Sequence, residues 1–213
     1  MNLIFEDKIP QYPLEFKDKV IAISNALRIN PNWLMMVFWK ESKLNPAAVN
    51  PVTGATGLIQ FMPGTAMSLG TTTAALKTMS NVEQLEYVKK YYYPYRNYIT
   101  KAEDLYLITF YPNADKKHAG TLSKPDDWQF PNSVYVANKG VDMNKDGVLT
   151  IGDVRQWFWK DIPSEWKNQV SEPVSIPVAA IKFIGRNFYF ILMGSVLLGV
   201  GIYFSLTATV GKL

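Results

Sequence analysis

Few residues in this chain could do chemistry. It has no Cys and one His, His118, so a thiolate nucleophile, a hydroxyl paired with His and the usual zinc sites all lack material. Carboxylates remain. The stretch from Asn30 to Gly70, NPNWLMMVFWKESKLNPAAVNPVTGATGLIQFMPGTAMSLG, holds one acidic residue, Glu41. Glu41 closes a strongly apolar helical pattern, with Leu34, Val37 and Phe38 close to its face by the i+3 and i+4 rule. A helix C-terminus disfavours an anion, and apolar neighbours disfavour charge as well. Both effects push this carboxyl toward its protonated form, the bias a general acid needs.

A second set of oxygen donors follows later, in DMNKDGVLTIGD. Asp142, Asn144 and Asp146, then Gly147, the carbonyl of Val148, Thr150 and Asp153 reproduce the calcium-loop pattern of an EF-hand. Asp153 stands where a longer Glu normally reaches in. The expectation is a structural calcium clip, with no cofactor for catalysis; the alternative is an Asx-rich turn that caps the next helix.

The elements that must position these groups read as mainly helical. Residues 1–14 look like an irregular arm, because Pro10 and Pro13 oppose a helix. Val20, Ile23, Ala26 and Leu27 give helical spacing over 15–28. Asn30 and Pro31 then form a cap followed by a first-turn proline, starting the Glu41 helix. Residues 43–57 read as a loop in which Gly54 and Gly57 supply positive φ or close backbone approach. Pro63–Leu69 reads as a short helix stopped by Gly70. Ser80 and Glu83 form a capping box for a helix to about Tyr98, with a kink or break at Pro94. Thr100 and Glu103 form another, for a helix to about Tyr111 that Pro112 ends. Residues 113–139 show little periodicity and read as a long connection that shapes a site. His118 reads as a surface residue. A helix follows the oxygen-rich loop; of Trp157, Phe158 and Trp159 within it, one or two pack and the others meet solvent, sugar or lipid.

Composition bounds the partners. The chain has 213 residues, 22 basic against 18 acidic, a net charge of +4 and a pI near 9.0. This mild excess suits an anionic polymer or surface, and no recognition helix or dense basic stripe argues for nucleic acid. The N-terminus lacks the pattern of a secretory signal. Asn187 to Gly211 carries no charge, and about 20 such residues span a hydrocarbon core of roughly 30 Å. The expected organisation is an arm (1–14), a catalytic domain (15–165), a linker (166–186) and a transmembrane segment (187–211). Lys182 and Arg186 precede that segment, a flank that would keep the domain on the cytoplasmic side of a host membrane.

The central stretch resembles the soluble lytic transglycosylase family, lysozyme-like enzymes that cut peptidoglycan between N-acetylmuramic acid and N-acetylglucosamine. The resemblance rests on Glu41-Ser42, on Gly54-Ala-Thr-Gly57-Leu58-Ile59-Gln60-Phe61-Met62-Pro63, and on Thr65-Ala66. It implies a lysozyme-like domain in which Glu41 is the catalytic acid and base and the product is a 1,6-anhydro sugar. It also implies that Gly57, Leu58, Ile59 and Gln60 line the sugar subsites and that Ser42 positions Glu41 or the sugar. The family's later Ala-Tyr-Asn motif corresponds to Phe110-Tyr111-Pro112-Asn113, so Tyr111 matches and the Asn is displaced. Peptidoglycan is absent from the cytoplasm, whereas the tail reads as an anchor. A component of a membrane-containing virus particle, among its capsid or membrane proteins, reconciles the two; a bacterial cell membrane is the alternative location. A lysozyme-fold structural protein without activity is the alternative function.

Overall fold

The computed structural model describes residues 2–111 and 120–171. The chain divides into two units, Met1–Val174 and Ser175–Leu213, and all described residues lie in the first. The stretch expected to span a membrane, 187–211, and His118 lie outside the described residues. Among the described residues no helix is long and apolar enough to cross a membrane.

The first helix, α1 (Pro13–Leu27), begins two residues earlier than expected. Its first-turn proline costs nothing, because that N–H has no intrahelical acceptor to lose. Phe16, Val20, Ile23 and Leu27 are buried along one side. The preceding arm is also tied down: Leu3 and Ile4 are buried, the Ile4 N–H donates to Asn32 Oδ1 at 2.8 Å, and Phe5 stacks on Trp39 at 4.4 Å.

Helix α2 (Pro31–Ser42) is the centre of the domain. The Asn30 side chain caps it, accepting from the Asn32 N–H at 3.0 Å, as the cap-and-proline pattern predicts. Every residue from Pro31 to Phe38 is buried, and a helix buried on all sides must be surrounded by others. Helix α1 packs on one side of it and a later helix, α6, on another.

Short helices α3 (Pro63–Ser68) and α4 (Thr73–Thr78) follow the glycine loop. Gly70, at φ +83°, closes the first of these. Thr72 caps the second by accepting from the Ala75 N–H at 3.0 Å. The Ser80–Glu83 capping box opens α5 (Asn81–Tyr92). This helix stops short of Tyr98, because Pro94 turns the chain into one 3-10 turn, Tyr93–Tyr95. In α6 (Ala102–Phe110) the box is shifted by one residue from the expected one. Asp104, not Glu103, accepts from the Thr100 and Lys101 N–H groups, at 2.8 and 3.1 Å.

Beyond α6, a short helix α7 (Asn132–Ala137) interrupts the segment expected to be irregular. Helix α8 (Ile151–Trp159) opens with a Thr150–Asp153 capping box and α9 (Ser164–Ser171) follows. Phe158 is the residue of the aromatic triplet that is fully buried, against Tyr106 of α6 at 5.4 Å. Arg155 of α8 ion-pairs with Asp104 and Asp126, at 3.4 and 3.0 Å. No β-strand occurs among the described residues, only isolated bridges.

One buried side chain joins the glycine loop to the helices. Gln84 of α5 accepts from the Leu58 N–H at 2.9 Å and donates to the carbonyls of Pro46 and Leu76, at 2.6 and 2.8 Å. A Cβ on Gly57 would lie 2.5 Å from Gln84 Oε1, and Gly57 sits at φ +87°, so only glycine fits there. Replacing Gln84 by Leu leaves three buried backbone groups unpaired. Denaturant unfolding is expected to show a loss of about 3 kcal/mol or more.

Candidate active site

Glu41 lies in the last turn of α2, at a cleft of about 530 Å³. Three segments wall it. Asn50, Ala55 and Ile59–Met62 come from the glycine loop, and Tyr91, Tyr106, Thr109 and Phe110 come from α5 and α6. Asn138, Val141 and Trp157 come from the chain beyond α6. Glu41 is the only carboxylate among these lining residues.

The environment of this carboxyl is apolar. No described residue hydrogen-bonds it, and burial pushes its pKa up to about 7, with the Lys40 ammonium pulling weakly the other way. The bias anticipated from the helix end is therefore present, and desolvation is its main cause. The phenols of Tyr91 and Tyr106 are themselves pushed up, by burial first and by the nearby Glu41 charge among the lesser causes. Tyr91 donates to the Ile108 carbonyl at 2.8 Å, and Tyr106 accepts from Trp157 Nε1 at 3.2 Å.

The glycine loop is folded back on itself. Thr56 and Phe61 exchange backbone hydrogen bonds at 3.0 and 2.9 Å, and Gly57 N–H donates to the Ala48 carbonyl at 2.9 Å. Gln60, at φ +52°, uses its amide hydrogens on the carbonyls of Gly57 and Ala48, at 3.1 and 3.3 Å. The loop thus holds itself rigid and presents Ile59 and Gln60 to the cleft.

The expected site residues separate accordingly. Glu41, Ile59 and Gln60 meet in the cleft. Ser42, Gly57 and Leu58 stand behind its lining. The Ser42 hydroxyl lies 3.1 Å from the Phe38 carbonyl and 3.0 Å from that of Leu58, so it pins the loop to the end of α2. Leu58 is fully buried. Tyr111 is outside the lining as well, packed on Phe130 at 5.3 Å and Trp128 at 6.5 Å. The tyrosines that line the cleft with Glu41 are instead Tyr91 and Tyr106. Helical spacing alone does not single them out, since Tyr91 sits in an aromatic run and Tyr106 in an apolar helix.

The oxygen-rich loop folds through its own side chains. Asp142 accepts from the Lys145 and Gly147 N–H groups, at 2.7 and 3.1 Å, and Asp146 from Val148 N–H at 2.9 Å. Asn144 accepts from Asp146 N–H at 3.1 Å. Asp153 accepts from Thr150 N–H at 2.9 Å and Met143 N–H at 3.1 Å. These are Asx turns and a helix cap, the alternative that the sequence left open beside calcium. Its donors are hard oxygens of the type calcium takes. Among the described residues no group of three His, Cys, Asp or Glu side chains is gathered in one place. Backbone pairing anchors the loop: Phe130 N–H donates to the Leu149 carbonyl at 2.9 Å, and Ile151 N–H to that of Trp128 at 3.1 Å.

A single desolvated acid in an open cleft, within a mainly helical domain, is an arrangement suited to general acid catalysis. Residues 18–100 match the family model described as the transglycosylase SLT domain, so this part of the chain is similar to that family. The matched residues carry Glu41, the glycine loop and Tyr91, whereas Tyr106 and Trp157 lie beyond them. No curated protein matches the chain.

The raised carboxyl has a cost in stability. Because Glu41 binds its proton more tightly folded than unfolded, stability falls as pH rises from about 4.5 through about 7. Glu41→Gln, neutral at every pH, is expected to be more stable than wild type above pH 7, by up to about 3 kcal/mol. The difference should close below the ordinary carboxylate range. Unfolding free energies measured across pH check this.

Proposed function

We propose that the protein cleaves the β-1,4 bond between N-acetylmuramic acid and N-acetylglucosamine as a lytic transglycosylase. The observation that carries this is a carboxyl whose pKa burial raises to about 7, in a cleft where no second carboxylate stands among the described lining residues. Glycosidases that use two carboxylates need a base or nucleophile on the opposite face of the sugar. Here the substrate would supply what is missing.

In this mechanism Glu41 gives its proton to the glycosidic oxygen as the C1–O bond breaks, and the leaving N-acetylglucosamine end departs as an alcohol. The neighbouring acetamido group stabilises the oxocarbenium-like centre. Glu41, now a carboxylate, accepts the proton of the muramoyl 6-hydroxyl as that oxygen bonds to C1, and the enzyme is restored. Ile59 and Gln60 contribute to the sugar subsites. Ser42, Gly57 and Leu58 act behind them by fixing the loop, and Tyr111 acts through the aromatic cluster that holds 128–130 in place.

Two further readings accompany this. The 142–153 loop is proposed to take a structural calcium ion through Asp142, Asn144, Asp146, the Val148 carbonyl, Thr150 and Asp153. An ion there would brace the third cleft wall. A melting temperature raised by calcium and lowered by chelator is the expected result. Residues 187–211 are proposed to tether the enzyme to the lipid membrane of a virus particle, so that it opens the host wall during entry or lysis. Its presence in purified particles is the check.

Digestion of peptidoglycan by wild type and Glu41→Gln tests the reaction. Wild type is expected to release muropeptides one water lighter than hydrolysis products, and Glu41→Gln to release none. Activity should decline above about pH 7, as the acid loses its proton. Equal inactivity of both proteins would favour a lysozyme-fold structural protein.

A further inference from the structure

The third wall of the cleft comes from outside the family-matched residues, and one side chain fastens it to the catalytic helix. Lys40 directly precedes Glu41, and its side chain is only 3% exposed. Its Nζ donates to the Trp157 carbonyl at 2.7 Å and to Asp161 Oδ2 at 3.2 Å, and lies 4.4 Å from the centre of the Trp157 ring. The carbonyls of a helix's last turn lack their full set of partners, so a cation there satisfies both hydrogen bonding and the helix dipole. The same Trp157 donates its indole N–H to Tyr106, which faces Glu41 across the cleft.

Burying an amine beside the catalytic acid is costly unless the amine does something there. Desolvation pulls the Lys40 pKa down, and Asp161 restores part of it. An apolar residue would fill the same space without that cost, and would leave the last turn of α8 with no polar bond from Lys40's position on α2. Lys160 lies 4.9 Å from the Trp157 ring but sits exposed on α8 itself, so it cannot join α8 to α2.

We propose that Lys40 is a positioning residue: its ammonium clamps Trp157 and the last turn of α8 onto the helix that carries Glu41, making residues 138–161 a fixed wall of the glycan cleft. The inference rests on the cleft binding a glycan. It concerns how the cleft is held, separately from whether Glu41 breaks a bond.

Binding of chitotetraose to the full-length chain, followed by calorimetry in a Glu41→Gln background, tests it without turnover. Adding Lys40→Met is expected to weaken binding about tenfold, adding Trp157→Ala to weaken it similarly, and the two together to lose little more, since both undo one wall. Lys40→Arg, which keeps charge and donors, should restore binding. A Lys40→Met protein that melts lower yet binds unchanged would overturn the clamp. So would losses that multiply in the double variant, or no binding of the tetramer by Glu41→Gln itself. Wild type that binds in this pattern but digests no peptidoglycan would leave the clamp standing and remove the lytic reaction.

Discussion

Raising the pKa of one carboxyl, Glu41, toward neutrality by burial is the constraint around which the cleft is built. A carboxylate in water ionises well below pH 7, and loss of solvation without replacement by hydrogen-bond donors reverses this. The fold achieves it by ending a helix buried from Pro31 to Phe38 at the cleft. Glu41 meets solvent on one side and apolar or phenolic groups on the others. Every wall therefore has two tasks: to exclude water and to avoid offering the carboxyl a strong donor. The loop meets the second by spending its amides internally, as Gln60 does on Gly57 and Ala48.

Rigidity of that loop comes from behind it. Gln84 reaches the loop at two points and α4 at a third, all with buried partners. Gly57 permits this approach, because any side chain there would collide with the Gln84 amide. Ser42 adds the bond to the end of α2. The glycine-rich motif is thus in part a frame: Gly57 and Leu58 stand behind the lining, while Asn50, Ala55 and Ile59–Met62 reach the cleft.

Sequence patterns revealed the local parts of this arrangement. The Asn30 cap, Pro31, the Ser80–Glu83 box and Gly70 are short-range signals whose partners lie within a turn, and they specify α2, α5 and the end of α3. Glu41 stood out because the surrounding 30–70 stretch has no other acid. What sequence did not disclose depends on contacts far apart in the chain. Gln84 looks like an ordinary helix residue until its partners at 46, 58 and 76 are known. Tyr91 and Tyr106 gain their places from the packing of α5 and α6 around α2, whereas the motif position favoured Tyr111. The capping shift from Glu103 to Asp104 arises because two acids are adjacent, and only the second is placed to meet the Thr100 and Lys101 N–H groups while ion-pairing with Arg155.

The segment beyond α6 completes the cleft. Its attachment relies on the aromatic contacts of Tyr106 and Phe158, on Arg155 and on Lys40, and so depends on tertiary packing more than on local periodicity. The central claim remains the state of Glu41, and a carbon-13 NMR titration of its side-chain carboxyl measures that state directly. A midpoint near 7 is predicted; a midpoint at the ordinary carboxylate value of about 4.5 would contradict the account.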